Sequence, residues 1–430
     1  AMRDFARSEG RAVQRQLDRL GRLSVPDERL GLDTIRTLLE RLDNPHLRLP
    51  PVFHVAGTNG KGSTCAFLRA MLEAEGHRVH VTTSPHLVRY NERIRVAGEL
   101  IDDERLAELL GEVLDIGEDL APSFFEVTIA AAFTEFARVP ADACVIEVGL
   151  GGRFDATNVL ERPAAAGIAA LGIDHERFLL APEEGVPEQP LARIAFEKAG
   201  IAKQGRPLVT LHYPDDAIAE IERIAAKRGS LLAMRGRDWS SDALGHMLHY
   251  SDAKGELHLP VPSMVGAHQA ENAALAIALL RHQSMVSVGE EALKAGLRSA
   301  HWPARLQRLA DGPLTQEHEV WLDGGHNPSA GAALAQHFEG QRLHLVLGML
   351  EPKDPAALIG PLAANCASIT AVPVSDHDFH RVEAFGPGAT WADSVPEALA
   401  RISKGGLPVL VAGSLYLAGE VLRLNGEFPD

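Results

Sequence analysis

Residues 56 to 64 of the chain read AGTNGKGST and follow the apolar run PVFHV. Gly57, Gly60 and Gly62 surround a single lysine, Lys61. Glycines let backbone N–H groups turn towards phosphate oxygens, a following helix presents its positive end, and lysine reaches the outer phosphates. The chemistry this favours is nucleotide phosphate binding. The common phosphate loop, G-x-x-x-x-G-K-[ST], is nevertheless not matched, because Val55 stands five residues before Gly60 and Gly62 separates Lys61 from the first hydroxyl, Ser63. A glycine-rich strand-to-helix turn that holds no nucleotide is the simpler alternative.

Three further residues fall where a parallel sheet would place them beside that loop. Ser84 follows RVHVTT, Glu147 lies late in CVIEVG, and His175 ends AALGIDH. Ligands of doubly wound folds bind at the carboxyl edge of the strands, where all three are expected. Glu147 carries most weight: a carboxylate inside an apolar run is costly to bury unless a cation, a donor set or a metal meets it. A structural hydrogen bond to nearby backbone would also satisfy it. With Ser63 displaced, Ser84 becomes the candidate hydroxyl, and oxygen donors from Ser84, Glu147 and phosphate suit Mg2+, with His175 as an unusual nitrogen addition. Taken singly, Ser84 is also an ordinary turn residue before Pro85, and His175 an ordinary strand-end histidine.

The elements that would hold these residues alternate. LDTIRTLLERLDNP spaces Ile35, Leu38, Leu39 and Leu42 as one face of a helix. PVFHVAG reads as a strand, STCAFLRAMLEAEG as a helix closed at Gly76, HRVHVTTSP as a strand, SFFEVTIAAAFTEFAR as a helix, and ADACVIEVGLGG and AAAGIAALGIDH as strands. The pattern continues weakly through PLVTLHY, IAEIERIAAKRG and HQAENAALAIALLRH. A fresh series follows: EVWLDGGHNPSAGAALAQHF, RLHLVLGML, SITAVPV and LPVLVAGSLYLAGEVLRL. Strands alternating with helices predict an α/β chain with a doubly wound, mostly parallel sheet carrying the phosphate loop over residues 1–299. A smaller Rossmann-like α/β C-terminal domain is expected over 300–430. FLLAPEEGVPEQPLAR, rich in proline and glutamate, reads as an exposed loop.

A chain of 430 residues is long enough for two cores. Its formal charge of -16 disfavours nucleic acid or an anionic membrane as the main partner. Cys65, Cys144 and Cys366 lie far apart, without metal spacing, and are expected to be buried, reduced thiols. The start, AMRDFARSEGRAVQRQ, has no apolar core of a signal peptide, and Ala1 ahead of Met2 reads as a cloning remnant. A cytoplasmic protein, and a monomer, is the expectation.

The strings TNGKGS, SPHLVRYNERIRV, VIEVGLGGRFDATN, IDH, FEKAGI, HQAENA, ARLQ and DGGHNP occur in this order. Together they resemble folylpolyglutamate synthases and the bifunctional dihydrofolate synthases of the Mur ligase superfamily, from Leu30 to the GSLYLAGEV segment. The resemblance implies an ATP-dependent acid–amino-acid ligase that adds L-glutamate to dihydropteroate and to reduced folates through an acyl phosphate. It implies that Thr58, Asn59, Gly60 and Lys61 hold the ATP phosphates, with Gly62 and Ser63 completing the loop. Ser84, Glu147 and His175 match the ligands of two Mg2+ ions. Lys198 in FEKAG matches a carbamylated lysine, an anion able to help place the second ion. Asn272, Arg305 and Asp323 match ATP contacts and His326 a histidine near the phosphates, so that closure of the second domain would complete the site. Lys61, Lys198 and His326 are the implied catalytic residues.

For the pterin-bearing substrate the matching positions are Leu30, Ser123, Phe124, Phe125, Glu126, Phe154, Asp155 and Ala156. Phe124 and Phe125 could wall a flat ring. S-F-F-E is equally a capping box ahead of an apolar helix, in which Ser123 and Glu126 satisfy backbone donors and the phenylalanines pack in the core. The chain departs from the family pattern in the long FLLAPEEGVPEQPLAR stretch and at Ala304, where glycine is usual. A folylpolyglutamate synthase alone is one alternative. Another is a Mur-type ligase of a nucleotide-linked peptide precursor, although its extra N-terminal domain finds little room before residue 57. A nucleotide-binding regulatory protein is the non-enzymatic alternative.

Overall fold

The computed structural model describes residues 4–23, 31–173 and 180–430, and these divide into two compact units. The expectations for Leu30 and His175 lie outside the described residues. One unit takes in Ala1–Met264, Gln269–His301 and Asp430, the other Val265–His268 and Trp302–Pro429.

The first unit opens with helices α1 (Arg11–Gly21) and α2 (Asp33–Arg41). Its sheet is built from β1 (Val52–Ala56), β2 (Val79–Thr82), β3 (Ile94–Val96), β4 (Glu99–Leu100), β5 (Ala143–Glu147), β6 (Ala165–Ile168), β7 (Pro207–Thr210) and β8 (Leu231–Met234). The strand order is β4-β3-β2-β5-β1-β6-β7-β8, and only the β2–β3 and β3–β4 pairs are antiparallel. Helices α3 (Lys61–Ala74), α4 (Asp103–Gly117), α5 (Phe124–Arg138), α6 (Pro190–Ala199), α7 (Asp215–Arg228), α8 (His268–Arg281) and α9 (Glu290–Ser299) complete it. From β1 the chain crosses to β2 and β5 on one side, then to β6, β7 and β8 on the other, so the strand order reverses at β1. That reversal opens a crevice at the carboxyl edge.

Alternation along β1 and β5 sends side chains to two separate cores. Phe53, Val55 and Val145 join α3, which presents Cys65, Phe67, Leu68 and Met71 at helical spacing. Val52, Cys144 and Ile146 face the opposite way, into a cluster with Leu109, Val113 and Phe133. Burial on both faces explains why these strands read as continuous apolar runs, and why a carboxylate among them stands out.

A three-stranded antiparallel sheet, β9 (Trp239–Leu244), β10 (Met247–Asp252) and β11 (Gly255–Pro260), has no counterpart in the sequence reading. Its signal is present: in β10 and β11 the buried Leu248, Tyr250, Leu257 and Leu259 alternate with polar residues. Asp252 fastens the sheet by accepting from Arg281 Nε and Nη2 at 2.6 and 2.8 Å.

The second unit carries β12 (Gln307–Arg308), β13 (Val320–Asp323), β14 (Leu343–Leu347), β15 (Cys366–Ala371), β16 (Thr390–Trp391) and β17 (Val409–Ala412) in the order β12-β13-β17-β14-β15-β16. All pairs but β12–β13 are parallel. Helices α10 (Pro328–His337), α11 (Ala356–Leu362), α12 (Val395–Arg401) and α13 (Leu415–Leu424) pack with it. The fold is thus α/β with a mostly parallel sheet in each unit. Cys65 and Cys144 are buried, but Cys366, at the start of β15, is only half-buried, which corrects the expectation of three buried thiols. No helix among the described residues is long and apolar enough to cross a membrane.

Candidate active site

Neighbouring strands bring the loop and the carboxylate together. Val55 of β1 stands opposite Glu147 of β5, and Thr82 of β2 opposite Ile146, so the chain leaves β1, β2 and β5 at one edge of the sheet. Glu147 is 3 % exposed, and its Oε1 accepts the backbone N–H of Ser84 at 2.8 Å. The Ser84–Pro85 peptide is cis.

The loop is tied to the segment after β6. The amides of Thr58 and Asn59 donate to the Ala170 carbonyl at 2.9 and 3.2 Å, and the Thr58 hydroxyl donates to the Gly172 carbonyl at 2.9 Å. Those donors shape the loop rather than project from it. Helix α3 begins at Lys61 and its first turn closes from the Thr64 amide to the Gly60 carbonyl at 2.9 Å. The amides of Lys61, Gly62 and Ser63 therefore precede the helical ladder, where the positive end of the helix dipole favours an anion.

Gly60 adopts φ +83, and a Cβ there would stand 2.3 Å from Asn272 Oδ1. Asn272, on α8, lies over the loop for that reason. Its Nδ2 donates to Gln269 Oε1 at 3.0 Å, and Gln269 Nε2 donates to Ser63 Oγ at 3.2 Å. Gln269 was missed by the sequence reading. Its signal is its place one helical turn before Asn272.

Nearby charges are felt through shifted ionisations. Burial pushes the Cys65 thiol far up, Glu147 adds to that push, and Lys61 opposes it. Burial also raises the carboxyl of Asp155, against hydrogen bonds from Thr157 and Leu150 and the charge of Lys61. Asp155 Oδ1 accepts the amides of Gly149 and Leu150 at 3.0 and 2.8 Å, and Oδ2 accepts the amide and hydroxyl of Thr157. Asp155 is thereby the organiser of the turn after β5. The chain of bonds continues to His54 Nε2, 2.8 Å from Thr157 Oγ1, and burial drops the His54 imidazole to about 3.

A cavity of about 500 Å3 lies in the first unit beside this turn, with Ser123, Phe125, Glu126, Phe154, Asp155 and Ala156 among its lining. The capping box exists: Ser123 Oγ accepts the Glu126 amide at 3.1 Å and Glu126 Oε1 accepts the Ser123 amide at 2.9 Å. Helix capping and cavity lining therefore coincide in the same two residues. Phe124 departs from the expected ring wall. It packs on Tyr90, ring centroids 5.3 Å apart, with the Arg93 guanidinium 5.0 Å from its own centroid.

Lys198 is 3 % exposed near the end of α6. The Cα of Lys198 and the Glu197 carbonyl press against Gly152, where a Cβ would meet them at 3.2 and 2.7 Å. Its side chain is therefore not spread over a solvent-facing helix surface. Arg153, Arg193 and Glu197, which the sequence reading did not single out, also line the cavity.

Arg305, Asp323 and His326 belong to the second unit. Asp323 ends β13 and accepts the amide of Gly325 at 2.7 Å through Oδ1 and that of Leu306 at 2.9 Å through Oδ2. Arg305 sits between Ala304 and Leu306, both left-handed at φ +57 and +45. Two non-glycine residues in that region store strain of about 1–3 kcal/mol each. The usual glycine at position 304 fits this geometry. His326 is half-buried just ahead of Asn327, whose Oδ1 caps α10 by accepting the Ala330 amide at 3.0 Å.

Among the described residues no group of three or more His, Cys, Asp and Glu side chains could hold a metal ion. The Ser84 amide on Glu147 Oε1 brings the start of the segment after β2 to this carboxylate, and carboxylate and hydroxyl oxygens are the donor types that suit a small divalent cation taking its other ligands from phosphate and water.

No family model matches the sequence. The chain is 35 % identical over 429 residues to the dihydrofolate synthase/folylpolyglutamate synthase of Bacillus subtilis, covering 91 % of this chain and 94 % of that protein. It is 33 % identical over 416 residues to the enzyme of the same name from Escherichia coli, covering 92 % and 93 %. Among solved structures, E. coli FolC in complex with DHPP and ADP superposes with a TM-score of 0.84 at 31 % identity, covering 96 % of this chain and 97 % of that one. The bifunctional folylpolyglutamate synthase/dihydrofolate synthase of Yersinia pestis, complexed with AMPPNP and Mn ion, gives 0.83 at 29 % identity over 96 % and 97 %.

Proposed function

The chain belongs to the dihydrofolate synthase/folylpolyglutamate synthase family, and on that premise we propose that it is an ATP-dependent ligase adding L-glutamate to dihydropteroate and to reduced folates. The observation that carries the reading is the pairing of Ser84 with the buried Glu147, one strand from a glycine-rich loop that opens a helix.

The carboxylate of the acid substrate attacks the γ-phosphorus of ATP, giving an acyl phosphate and ADP. The amine of L-glutamate then attacks the acyl carbon, the C–O bond to phosphate breaks, and the amine proton passes to solvent. Catalysis of this kind rests on positioning and on neutralising charge as it develops. Lys61 and the amides of Lys61, Gly62 and Ser63 hold the outer phosphates, with Thr58, Asn59 and Gly60 fixing the loop. Asn272 and Gln269 hold the loop from above. Ser84 and Glu147 would hold Mg2+, and His175 is assigned with them. A divalent cation bound there supplies the neutralisation of the phosphate charge.

Lys198 is assigned as carbamylated, which would turn a buried cation into an anion able to share in holding a second ion; its burial supports a role other than solvation. Arg305, Asp323 and His326 are assigned to ATP from the second unit. Leu30, Ser123, Phe125, Glu126, Phe154 and Ala156 are assigned to the pterin-bearing substrate, Phe124 and Asp155 to shaping its pocket. A monomer with small-molecule partners fits this reading. Mass spectrometry of the products tests it: incubation with ATP, Mg2+, L-glutamate and either dihydropteroate or tetrahydrofolate should add glutamyl residues to each acid. Addition to the folate alone would reduce the assignment to a folylpolyglutamate synthase, and addition to neither would refute it.

A further inference from the structure

Four charged side chains meet at one wall of the 500 Å3 cavity. Arg153 Nη2 lies 2.6 Å from Glu183 Oε2 and 2.9 Å from Glu197 Oε1. Arg193 reaches Glu197 at 3.1 Å and Glu183 at 3.4 Å. Two guanidiniums therefore face two carboxylates, and the charges balance.

The four are not equivalent. The side chains of Arg193 and Glu197 are 5 % and 6 % exposed and Arg153 15 %, whereas Glu183 is 43 % exposed. Glu197 is fixed on α6, four residues from Arg193. Glu183 comes from the proline-rich stretch that departs from the family pattern and forms neither helix nor strand between residues 180 and 189. Remove it, and Arg153, Arg193 and Glu197 keep one uncompensated positive charge on a largely buried wall, a costly state unless another anion arrives.

Both arginines are held independently of Glu183. The Arg153 guanidinium lies over the rings of Phe154 and Phe196, 4.3 and 4.7 Å from their centroids. Arg193 Nε donates to Glu197 Oε1 at 3.1 Å, one turn along the same helix. A planar guanidinium already fixed in place is suited to a carboxylate. We propose that Arg153 and Arg193 form a carboxylate-capturing pair of this cavity, and that Glu183 occupies the pair until a substrate carboxylate displaces it.

This inference rests on the ligase reading, in which both the acid substrate and L-glutamate carry carboxylates. An internal occupant weakens apparent affinity by the fraction of protein in which the pair is free. Isothermal titration calorimetry with dihydropteroate and, separately, with L-glutamate, on the full chain and on its Glu183→Gln and Glu183→Ala variants, tests it. Both variants should bind one of the two ligands about threefold to tenfold more tightly, and the ligand affected names the carboxylate captured. Arg153→Gln should weaken the same ligand, and ATP affinity should not change with Glu183. Glu183 as a mere anchor of its loop predicts unchanged or weaker binding of both ligands, and that result would overturn the proposal. If the unaltered chain with ATP, Mg2+ and L-glutamate adds glutamate to neither dihydropteroate nor tetrahydrofolate, the ligase reading itself has failed, a result distinct from normal turnover and binding that Glu183 does not influence.

Discussion

The backbone N–H of Ser84 donates to Glu147 Oε1 at 2.8 Å, joining the ends of two adjacent parallel strands at a buried carboxylate. One carboxylate oxygen is thus positioned by the protein itself. Glu147→Gln keeps an acceptor for the Ser84 amide and removes the charge. Turnover should fall by about 100-fold or more, with the thermal unfolding midpoint close to that of the unaltered chain. Steady-state ADP release and a melting curve on the same sample check both halves.

Gly60 has φ +83, and Asn272 stands where its Cβ would be. Gly60→Ala should cost about 1–3 kcal/mol through backbone strain and the clash, and should raise KM for ATP. Adding Asn272→Ala removes the clash but not the strain, so it should restore only part of the stability in a denaturant titration. Full restoration would show that the left-handed backbone carries no cost here.

Asp155 accepts four hydrogen bonds, three from the amides of Gly149, Leu150 and Thr157 and one from the Thr157 hydroxyl. Asp155→Ala leaves these buried donors without a partner, at about 1–3 kcal/mol each where water cannot reach them. We expect a loss of about 2–4 kcal/mol in urea unfolding, larger than that of Phe154→Ala, whose ring is 40 % exposed. Equal stability losses would contradict the organising role.

His54 titrates near 3 in the folded chain because it is fully buried, with Lys203 adding to the shift, against an ordinary 6.5 when unfolded. Below 6.5 the unfolded chain binds the proton and the folded chain does not, so this contribution to stability is complete above 6.5. It should decline as pH falls towards 3, by up to about 1.4 kcal/mol per unit. His54→Gln can keep a donor towards Thr157 but cannot titrate. Its unfolding free energy should be flatter between pH 6.5 and 4 than that of the unaltered chain.

The alternation of apolar runs with amphipathic helices made the two parallel sheets legible, because strands buried on both faces need continuous apolar sequence. Glu147 stood out for the same reason. The capping box of Ser123 and Glu126 was legible too, since it depends on residues three apart. The β9–β11 sheet was passed over although its alternation is plain in LHYSD and GELHLP. What sequence could not disclose are contacts between distant segments. Glu183 meets Arg153 across 30 residues, Glu197 meets Arg153 across 44, and Gln269 meets Ser63 across 206. Nor does an isolated Phe-Phe pair say which ring lines a cavity. Phe125 does, whereas Phe124 packs on Tyr90.

A ligase that couples ATP cleavage to amide formation between an acid substrate and L-glutamate must depend on both acids for turnover. Coupled-assay measurement of ADP release with ATP and Mg2+ tests it most directly, with dihydropteroate, L-glutamate, both or neither. Sustained ADP release is expected only when both are present. Release unchanged by their joint addition would contradict it.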